Sequence, residues 1–432
     1  MSTETLVKIG SSFTGEDAPT WDFYSKCVHC GLCLNHCPTY RVLGLEADSP
    51  RGRIRQVLDV DQGILELGDS FVTHIDRCLD CRSCETACPS GVQYGRILER
   101  ARAQIELKHP RPASERLARN FFYGYVLKRS ARLQVLARLL RVYQRSGLQA
   151  LARKSGVLKL LRMEQLEALS PTIDREFFTG ALGQVFPAEG ELRGRVAFHA
   201  GCIQQVAFAD LNRATVRLLQ KNGIEVHVPA AQSCCGALHV HAGLREDARE
   251  LARRNIDAML APEFDAIITN AAGCGSTLKE YDDLLEHDPP YADKAKAFRV
   301  KMRDITEYLA EVGLRAPSKP LHQRVAYQDA CHLLHGQKVK SQPRELLKYV
   351  GASIVDLDHP DQCCGSAGTY NITQTELSMQ ILDRKMDDVN AVSCDMVVTG
   401  NVGCQLQLRY GMTRHGGAVP VLHIAEVLNL CY

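Results

Sequence analysis

The sequence lacks the features of a membrane-spanning or secreted protein. No apolar run approaches the roughly 18–20 residues that a spanning helix needs, and the N-terminal segment MSTETLVKIG has no apolar signal core. The sequence also contains no G-x-x-x-x-G-K-[ST] motif, and no G-x-G-x-x-G motif follows a predicted strand. We therefore expect a cytoplasmic chain that binds neither ATP, NAD nor FAD in the usual ways.

Strong compositional bias is also missing from the 432 residues. Hydrophobic residues make up 45% of the chain and charged residues 24%, which excludes a disordered, collagen-like or coiled-coil protein. Cysteine is the exception, with 18 residues. Because thiols in a reducing cytoplasm seldom form disulfides, this number indicates metal or redox chemistry.

Eight of the cysteines form a doubled motif near the N-terminus. The motif C-x2-C-x2-C-x3-C-P occurs twice, 51 residues apart, and each copy ends in Cys-Pro. Such a run binds 4Fe–4S clusters, and its fourth cysteine ligates the other cluster of the pair. The spacing therefore predicts one 4Fe–4S cluster on Cys27, Cys30, Cys33 and Cys88. It predicts a second 4Fe–4S cluster on Cys78, Cys81, Cys84 and Cys37.

Two zinc sites are the alternative for these eight cysteines, since four thiolates also suit zinc. Zinc sites typically use two separated cysteine pairs, whereas each motif here places four cysteines within eleven residues. Forty residues separate Cys37 from Cys78, and RGRIRQVLDVDQGILE within them has the pattern of a helix. The prediction is a largely helical dicluster ferredoxin domain.

A longer repeat fills the C-terminal half of the chain. Its first copy contains Cys202, the pair Cys234 and Cys235, and Cys274. About 129 residues later the second copy contains Cys331, the pair Cys363 and Cys364, and Cys404. Each copy alternates short predicted strands with amphipathic helices, and the downstream cysteine falls at the predicted turn after the third strand. This order predicts two related α/β modules with their cysteines at strand ends and loops.

The four cysteines of each module suffice for one further cluster, because adjacent cysteines can ligate neighbouring irons. Gly236 and Gly365 would let the backbone approach such a group closely. Two alternatives stay open, namely buried apolar thiols and a redox-active vicinal pair. Cys394 and Cys431 fall outside both repeats.

The predicted fold class is multidomain α + α/β, in which a helical dicluster ferredoxin domain precedes two tandem α/β Cys-Cys-Gly modules. The predicted order along the chain is an N-terminal leader (1–20), the ferredoxin-like domain (21–109), a basic helical connector (110–190), the first module (191–318) and the second module (319–432).

Positive charge is concentrated in the connector. Between Pro110 and Arg162 thirteen lysines or arginines face one acidic residue, Glu115, which gives a local charge of +12. The whole chain carries +2, so the remainder is close to −10. Three interpretations are open: a solvated helical face, docking to acidic partner subunits, and peripheral attachment to anionic lipid on the cytoplasmic face of the inner membrane. Nucleic-acid binding is disfavoured, because the acidic remainder would repel phosphate.

Longer motifs connect these features to a known family. They include CVHCGLCLNHCPTY, DSPRGRI, IDRCLDCRSCETACPSGVQY, CCGA, GCG followed by KEY, YADKA, CCGSAGTY and NVGCQ. From about Asp22 to the C-terminus the chain resembles the glycolate oxidase (glycolate dehydrogenase) iron–sulfur subunit. That family belongs to a wider group with the heterodisulfide reductase Cys-Cys-Gly subunits.

The resemblance implies an electron-transfer subunit with no catalytic side chain of its own. It would work beside flavin-containing subunits that carry FAD and oxidise glycolate to glyoxylate, or D-lactate to the corresponding 2-oxo acid. Two 4Fe–4S clusters, with one or two further clusters at the modules, would carry electrons to a quinone or another acceptor.

The sequence departs from the heterodisulfide reductase pattern at two positions. Those enzymes have a further cysteine three residues after the downstream one, where this chain has Thr277 and Gln407. His332 follows Cys331 directly and is expected to be an ordinary surface or core histidine rather than an iron ligand. Other functions left open are L-lactate or glycerol-3-phosphate oxidation, a thiol/disulfide enzyme of the heterodisulfide reductase type, and an iron–sulfur sensor.

Overall fold

The computed structural model describes residues 12–161 and 163–432. These residues form a helical N-terminal region, a helical connector and two α/β modules, each with its own sheet. Within the described ranges, no helix combines the length and the apolar character that crossing a bilayer requires.

The N-terminal region is built from short helices around an apolar core. Pro38 and Pro50 stand in the first turns of the second and third helices, where a missing N–H costs nothing. Ser49 caps the third helix by accepting a hydrogen bond from the Gly52 N–H at 2.9 Å. The helices are α1 (Trp21–Tyr24), α2 (Pro38–Leu43), α3 (Pro50–Asp61), α4 (Asp69–Asp76), α5 (Ser83–Thr86) and α6 (Tyr94–Lys108), with a 3₁₀ turn at Glu46–Asp48.

The connector is a chain of helices broken at glycines. Gly147 and Gly156 have φ values of 84° and 74°, which end one helix and start the next. The helices are α7 (Ala113–Arg119), α8 (Ser130–Arg145), α9 (Leu148–Ser155), α10 (Val157–Leu160) and α11 (Glu164–Ala168), with a π-helical stretch at Asn120–Leu127 between α7 and α8.

The first module contains a five-stranded sheet in the order β1-β3-β2-β4-β5. Its strands run parallel except β1, which pairs antiparallel with β3. The strands are β1 (Val185–Phe186), β2 (Gly194–His199), β3 (Ile224–His227), β4 (Ala266–Thr269) and β5 (Met302–Asp304). The helices are α12 (Gln204–Ala207), α13 (Ala209–Lys221), α14 (Ala237–His241), α15 (Arg245–Met259), α16 (Ala272–Leu278), α17 (Tyr281–Leu284), α18 (Ala292–Lys301) and α19 (Ile305–Val312), after a 3₁₀ turn at Phe178–Ala181.

The second module repeats this arrangement with four parallel strands in the order β7-β6-β8-β9. The strands are β6 (Arg324–Gln328), β7 (Ser353–Val355), β8 (Met396–Thr399) and β9 (Val421–His423). The helices are α20 (Gln342–Tyr349), α21 (Tyr370–Thr373), α22 (Thr375–Asn390), α23 (Val402–Arg414) and α24 (Ile424–Asn429), with a π-helical turn at His332–Gly336.

The predicted fold class is confirmed, because a helical dicluster region precedes two α/β modules. The three strands expected in each module are present, whereas the short outer strands β1, β5 and β9 were not predicted. The expected position of the downstream cysteines at a turn is wrong. Cys274 and Cys404 lie inside α16 and α23, because each helix starts within two or three residues of the preceding strand.

Candidate metal centres

The two C-x2-C-x2-C loops of the N-terminal region share one backbone conformation. His29 and Gly31 have φ values of 54° and 85°, and Asp80 and Arg82, 51 residues later, have values of 53° and 58°. Positive φ at three non-glycine positions is uncommon. It costs free energy, so it persists only where the surrounding structure enforces it. The sequence repeat is therefore also a repeat of a turn that curls three cysteines around one point.

Each loop contributes three cysteines to one pocket, and the fourth comes from the other motif. The four cysteines Cys27, Cys30, Cys33 and Cys88 line one pocket, which we call the outer set. The four cysteines Cys37, Cys78, Cys81 and Cys84 line a second pocket, which we call the inner set. Cys84 also reaches the wall of the outer pocket, so the two sets adjoin. The structure thus brings together the residues of each predicted ligand set, and their ligation of iron stays a prediction.

The two sets differ in exposure. Cys30 of the outer set is exposed to solvent, whereas all four cysteines of the inner set are buried. Burial raises the pKa values of Cys81 and Cys84 well above the usual range, so bare thiolates would be costly there. A bound cationic group with soft ligand preference would compensate that charge, and four converging thiols are the donor set that an iron–sulfur cluster takes.

Hydrogen bonds to sulfur support the inner set. The Tyr94 hydroxyl donates to Cys78 Sγ at 3.5 Å, and the Asp80 N–H donates to the same sulfur at 3.4 Å. Cys37 Sγ lies 3.2 Å from the Thr39 hydroxyl. Hydrogen bonds to thiolate sulfurs raise the reduction potential of a bound cluster, because they stabilise its more negative reduced form.

A buried arginine lies beneath the same set. Arg53 is 1% exposed and donates to Asp48 and Thr39 at 3.1 Å each and to the His74 carbonyl oxygen at 2.7 Å. This arginine belongs to the DSPRGRI motif. Its fixed positive charge adds to the hydrogen bonds in favouring negative charge on the inner set.

The first module gathers its four cysteines into one contiguous group of sulfurs. Cys202 Sγ lies 3.4 Å from Cys234 Sγ. Hydrogen bonds from Cys202 and Cys235 lower the pKa of Cys234 well below its usual range. The fourth cysteine, Cys274, is a hydrogen-bond partner of Cys235, so all four sulfurs are contiguous.

The second module gathers the equivalent cysteines, with different neighbours. Cys331 and Cys363 interact through their sulfurs, and a hydrogen bond with Cys363 raises the pKa of Cys364 to about 12. Asn401 donates to Cys404 Sγ at 3.5 Å. As in the first module, four converging thiols could hold a metal group, and the vicinal pair could equally act as a dithiol.

Both module sets open onto one cavity of about 720 Å³. Its floor contains the cysteines Cys202, Cys234, Cys235, Cys274, Cys331, Cys363, Cys364 and Cys404. Its roof is the connector, whose lining side chains are mainly Leu, Met and aromatic residues. The sequence predicted two separate module sites, and the structure shows that they face the same space.

The inner set touches the second module directly. Cys81 packs with Cys363 and Cys331 in one small apolar cluster, together with Leu79 and Ile381. The outer set, the inner set and the second-module set therefore follow one another without an intervening layer of solvent, and the cavity joins the second-module set to the first.

The inner set meets the first module through charges. Arg82 pairs with Glu99 at 2.7 Å and with Glu280 of the first module. Arg100 pairs with Asp283 at 3.0 Å. These arginine side chains are nearly inaccessible, so the contact is a buried ion-pair network.

Two side chains that the sequence analysis did not single out hold the Cys78–Cys84 loop from both sides. His241 Nδ1 lies 3.0 Å from Asp80 Oδ2, and the Tyr370 hydroxyl donates to the Arg77 carbonyl oxygen at 2.9 Å. Both stand six residues after the second cysteine of their Cys-Cys-Gly pair. That shared position is the signal that could have identified them. His332, expected to be an ordinary histidine, is buried and lines the cavity.

Family models match most of the chain. The 4Fe-4S dicluster domain matches residues 24–92, and the cysteine-rich domain matches residues 196–279 and 325–409. The linker region of the glycolate oxidase iron–sulfur subunit matches residues 114–170. The last match covers most of the connector.

Three relatives are similar over much of their length. The probable glycolate oxidase iron–sulfur subunit of Bacillus subtilis is 41% identical over 93% of both chains. The glycolate oxidase iron–sulfur subunit of Escherichia coli is 35% identical, again over 93% of both chains. Lactate utilization protein A of Geobacillus kaustophilus is 31% identical over 54% of this chain and 98% of its own.

Proposed function

The chain belongs to the family of glycolate oxidase iron–sulfur subunits, and from that premise we propose that it passes electrons from a flavin-containing glycolate-oxidising subunit to a membrane quinone. Lactate is a second donor, which the similarity to lactate utilization protein A favours. FAD belongs to the partner subunits in this proposal.

The cysteines of the outer and inner sets are proposed as the ligands of two 4Fe–4S clusters, which supply one-electron carriers when bound. The protein's own contribution is ligation, burial and charge. Exposed Cys30 marks the end of the series that a partner subunit can reach. Arg53 and the hydrogen bonds to Cys78 favour negative charge further inside.

One observation carries this proposal, namely the contact of Cys81 with Cys363. A dicluster domain that worked alone would not need its buried cysteines packed against those of an α/β module. The contact makes a continuous series of thiol sets from an exposed surface to the cavity between the modules.

The connector supports the proposed membrane contact. Between residues 110 and 161, eight cationic side chains make no ion pair with any described acidic side chain: Arg116, Arg129, Arg132, Arg138, Arg141, Arg145, Lys154 and Lys159. The same helices expose large apolar side chains, such as Leu139 (63%), Leu151 (64%) and Leu160 (83%). A solvated face would not need these apolar groups, and a basic face with exposed leucines suits the surface of an anionic bilayer.

The test of the electron-transfer role is spectroscopic. The complex with its flavin subunits is purified without oxygen, mixed with glycolate and compared by EPR with a dithionite-reduced sample. We expect reduced 4Fe–4S signals with glycolate. Signals that appear only with dithionite would reject glycolate as the donor. An iron count of about eight per chain would restrict clusters to the outer and inner sets, and a higher count would extend them to the modules.

The membrane contact has a separate test. The complex should co-sediment with vesicles that contain anionic lipid and should not co-sediment with neutral vesicles. Replacing Arg138 and Arg145 with glutamine should weaken the binding to anionic vesicles. Equal binding to both kinds of vesicle would reject the electrostatic part of the proposal.

A further inference from the structure

The cavity between the modules has the size and lining of a small-molecule site. Its volume of about 720 Å³ lies within the roughly 300–1,000 Å³ of such sites. Its walls are mostly apolar, and most of the polar side chains lie on the floor beside the two cysteine sets, with Tyr143, Glu167 and Ser170 on the roof. A ligand there would lie against both sets at once, so it would be placed to accept or donate electrons.

The roof distinguishes an apolar ligand from a water-soluble one. Leu161, Met163 and Leu166 line the cavity and are 59%, 41% and 39% exposed, and the cavity is open to solvent on this side. An apolar path therefore leads from the exposed face of the connector into the cavity. A charged disulfide would meet no described cationic side chain among the lining residues, whereas an isoprenoid tail would find leucine and methionine along this path.

The floor offers a polar group without a partner. Ser366 follows the second Cys-Cys-Gly motif directly, is 5% exposed and lines the cavity. Its hydroxyl makes no hydrogen bond to any part of the chain that the structure describes and is accessible from the cavity. A carbonyl oxygen of a bound ligand would complete it.

We propose that this cavity is the quinone-binding site, with the quinone ring on the cysteine floor near Ser366 and the tail under the connector. The quinone takes up two electrons and two protons, and its two carbonyl oxygens become the hydroxyls of the quinol. Glycolate oxidation on the partner subunit supplies the two electrons and releases two protons, so the overall reaction balances. This inference rests on the proposed function and adds the place where the acceptor binds.

The test uses two matched substitutions in α9 of the complete complex. Ala152 lines the cavity, whereas Ala150 is exposed and does not. Ala152→Trp should lower kcat/KM for decylubiquinone at least tenfold, and Ala150→Trp should leave it unchanged. Iron content and circular dichroism establish that both variants fold. Wild-type quinone kinetics in a folded Ala152→Trp variant would overturn the proposal.

A second measurement does not depend on turnover. An azidoquinone should label cavity peptides from residues 158–171 or 366–372, and excess decylubiquinone should suppress the labelling. Labelling confined to other peptides would overturn the assignment even if Ala152→Trp failed to fold. Ser366→Ala should raise KM for decylubiquinone roughly fivefold, the loss expected for one hydrogen bond of about 1 kcal/mol.

These outcomes distinguish a failure of the cavity assignment from a failure of the proposed function. If glycolate fails to reduce the clusters of the wild-type complex, the proposed function itself is rejected. If glycolate reduces them and quinone is reduced equally well by wild type and Ala152→Trp, only the cavity assignment is rejected. Protection of the cavity from azidoquinone by an organic disulfide, but not by decylubiquinone, would assign the site to thiol chemistry instead.

Discussion

The two α/β modules repeat one strand order and one cysteine arrangement, yet they hold the N-terminal region by different means. The first module uses buried ion pairs, such as Arg100 with Asp283. The second uses sulfur and apolar contacts, with Cys81 packed against Cys363. A charged interface fixes position and orientation, whereas a thiol contact brings the proposed ligand sets together. The first module thus fixes the position of the N-terminal region, and the second places its cysteines next to those of the inner set.

The same division appears at equivalent positions. His241 of the first module faces a carboxylate, Asp80, whereas Tyr370 of the second donates to a neutral carbonyl oxygen, that of Arg77. Both contacts hold the loop that carries Cys78 and Cys81. The loop is therefore gripped from two sides, and each side can be weakened separately.

The largest effect is expected when the thiol that contacts the second module is removed. In the complex, Cys81→Ser should abolish quinone reduction by glycolate, while the flavin subunit still reduces an artificial dye. The reason is that serine replaces a proposed inner-set ligand and also the sulfur beside Cys363. Both activities are measured on the same anaerobic preparation.

Cys394→Ser is the matched control for that experiment. Cys394 is half-buried in the second module, belongs to neither repeat and lines no described cysteine pocket. Its substitution should leave both activities near wild type. Quinone reduction that survived in Cys81→Ser would contradict the assigned order of the thiol sets.

The sequence predicted the repeats well because repetition is visible without three-dimensional information. The grouping of the cysteines followed from spacing, and the predicted crossing of Cys37 and Cys88 between motifs agrees with the cysteines that line each pocket, while their ligation of iron stays a prediction. The strands β2, β3 and β4 followed from apolar pattern. The short outer strands did not, because two or three residues give no periodicity.

Contacts between distant segments were beyond the sequence. Arg82 and Glu280 are nearly 200 residues apart, and no local pattern pairs them. The packing of Cys81 on Cys363 and the closing of both module sites into one cavity depend on how whole domains dock. The connector's charge was visible in the sequence, but the exposure of many of its leucines was not, because it depends on how the connector helices pack.

The next largest effect is expected at the buried ion pairs between the first module and the N-terminal region. Asp283 lies 3.0 Å from Arg100 and 3.3 Å from Arg245, and both arginine side chains are almost fully buried. Asp283→Asn would remove the carboxylate that both cations share, while Glu286 stays beside Arg100 and Asp17 beside Arg245. The loss of these charged hydrogen bonds is expected to cost about 2–3 kcal/mol. Thermal unfolding followed by circular dichroism should show a clearly lowered midpoint.

The neighbouring aspartate provides the control. Asp282 pairs with Arg299, whose side chain is 55% exposed. An exposed ion pair contributes about 0–1 kcal/mol, so Asp282→Asn should barely move the midpoint. Equal shifts for the two variants would show that the first module does not hold the N-terminal region by charge.

The pH dependence of stability should differ in sign between the modules. Asp304 caps the helix α19 in the first module, and burial raises its pKa to about 6. His423 caps the equivalent helix α24 in the second, and burial lowers its pKa to about 4. Folded Asp304 keeps a proton that the unfolded chain loses near pH 4, so its effect on stability becomes less favourable from pH 4 to 6. His423 takes up a proton near pH 6.5 in the unfolded chain, but only near pH 4 in the folded chain. The free energy of unfolding therefore falls as the pH is lowered from 6.5 to 4.

Substitutions at both caps test these signs between pH 5 and 8. The unfolding midpoint of Asp304→Asn should rise relative to that of wild type as the pH rises from 5 to 7. His423→Asn should gain relative to wild type as the pH falls from 6.5 to 5. The charged groups that also act on these caps are Lys279 and Glu307 near Asp304, and Glu426 and Arg409 near His423. Parallel pH profiles for wild type and both variants would contradict the assignment.

The smallest effect should come from the neutral contact of the second module. Tyr370→Phe removes one hydrogen bond to the Arg77 carbonyl oxygen and keeps the ring packed in the apolar cluster around Cys81 and Cys363. The expected loss is about 1 kcal/mol, which is smaller than the loss expected for Asp283→Asn. Quinone reduction should persist, since the sulfur contact is untouched. A midpoint as low as that of Asp283→Asn would mean that the second module also clamps the loop, and the division of labour between the modules would then fail.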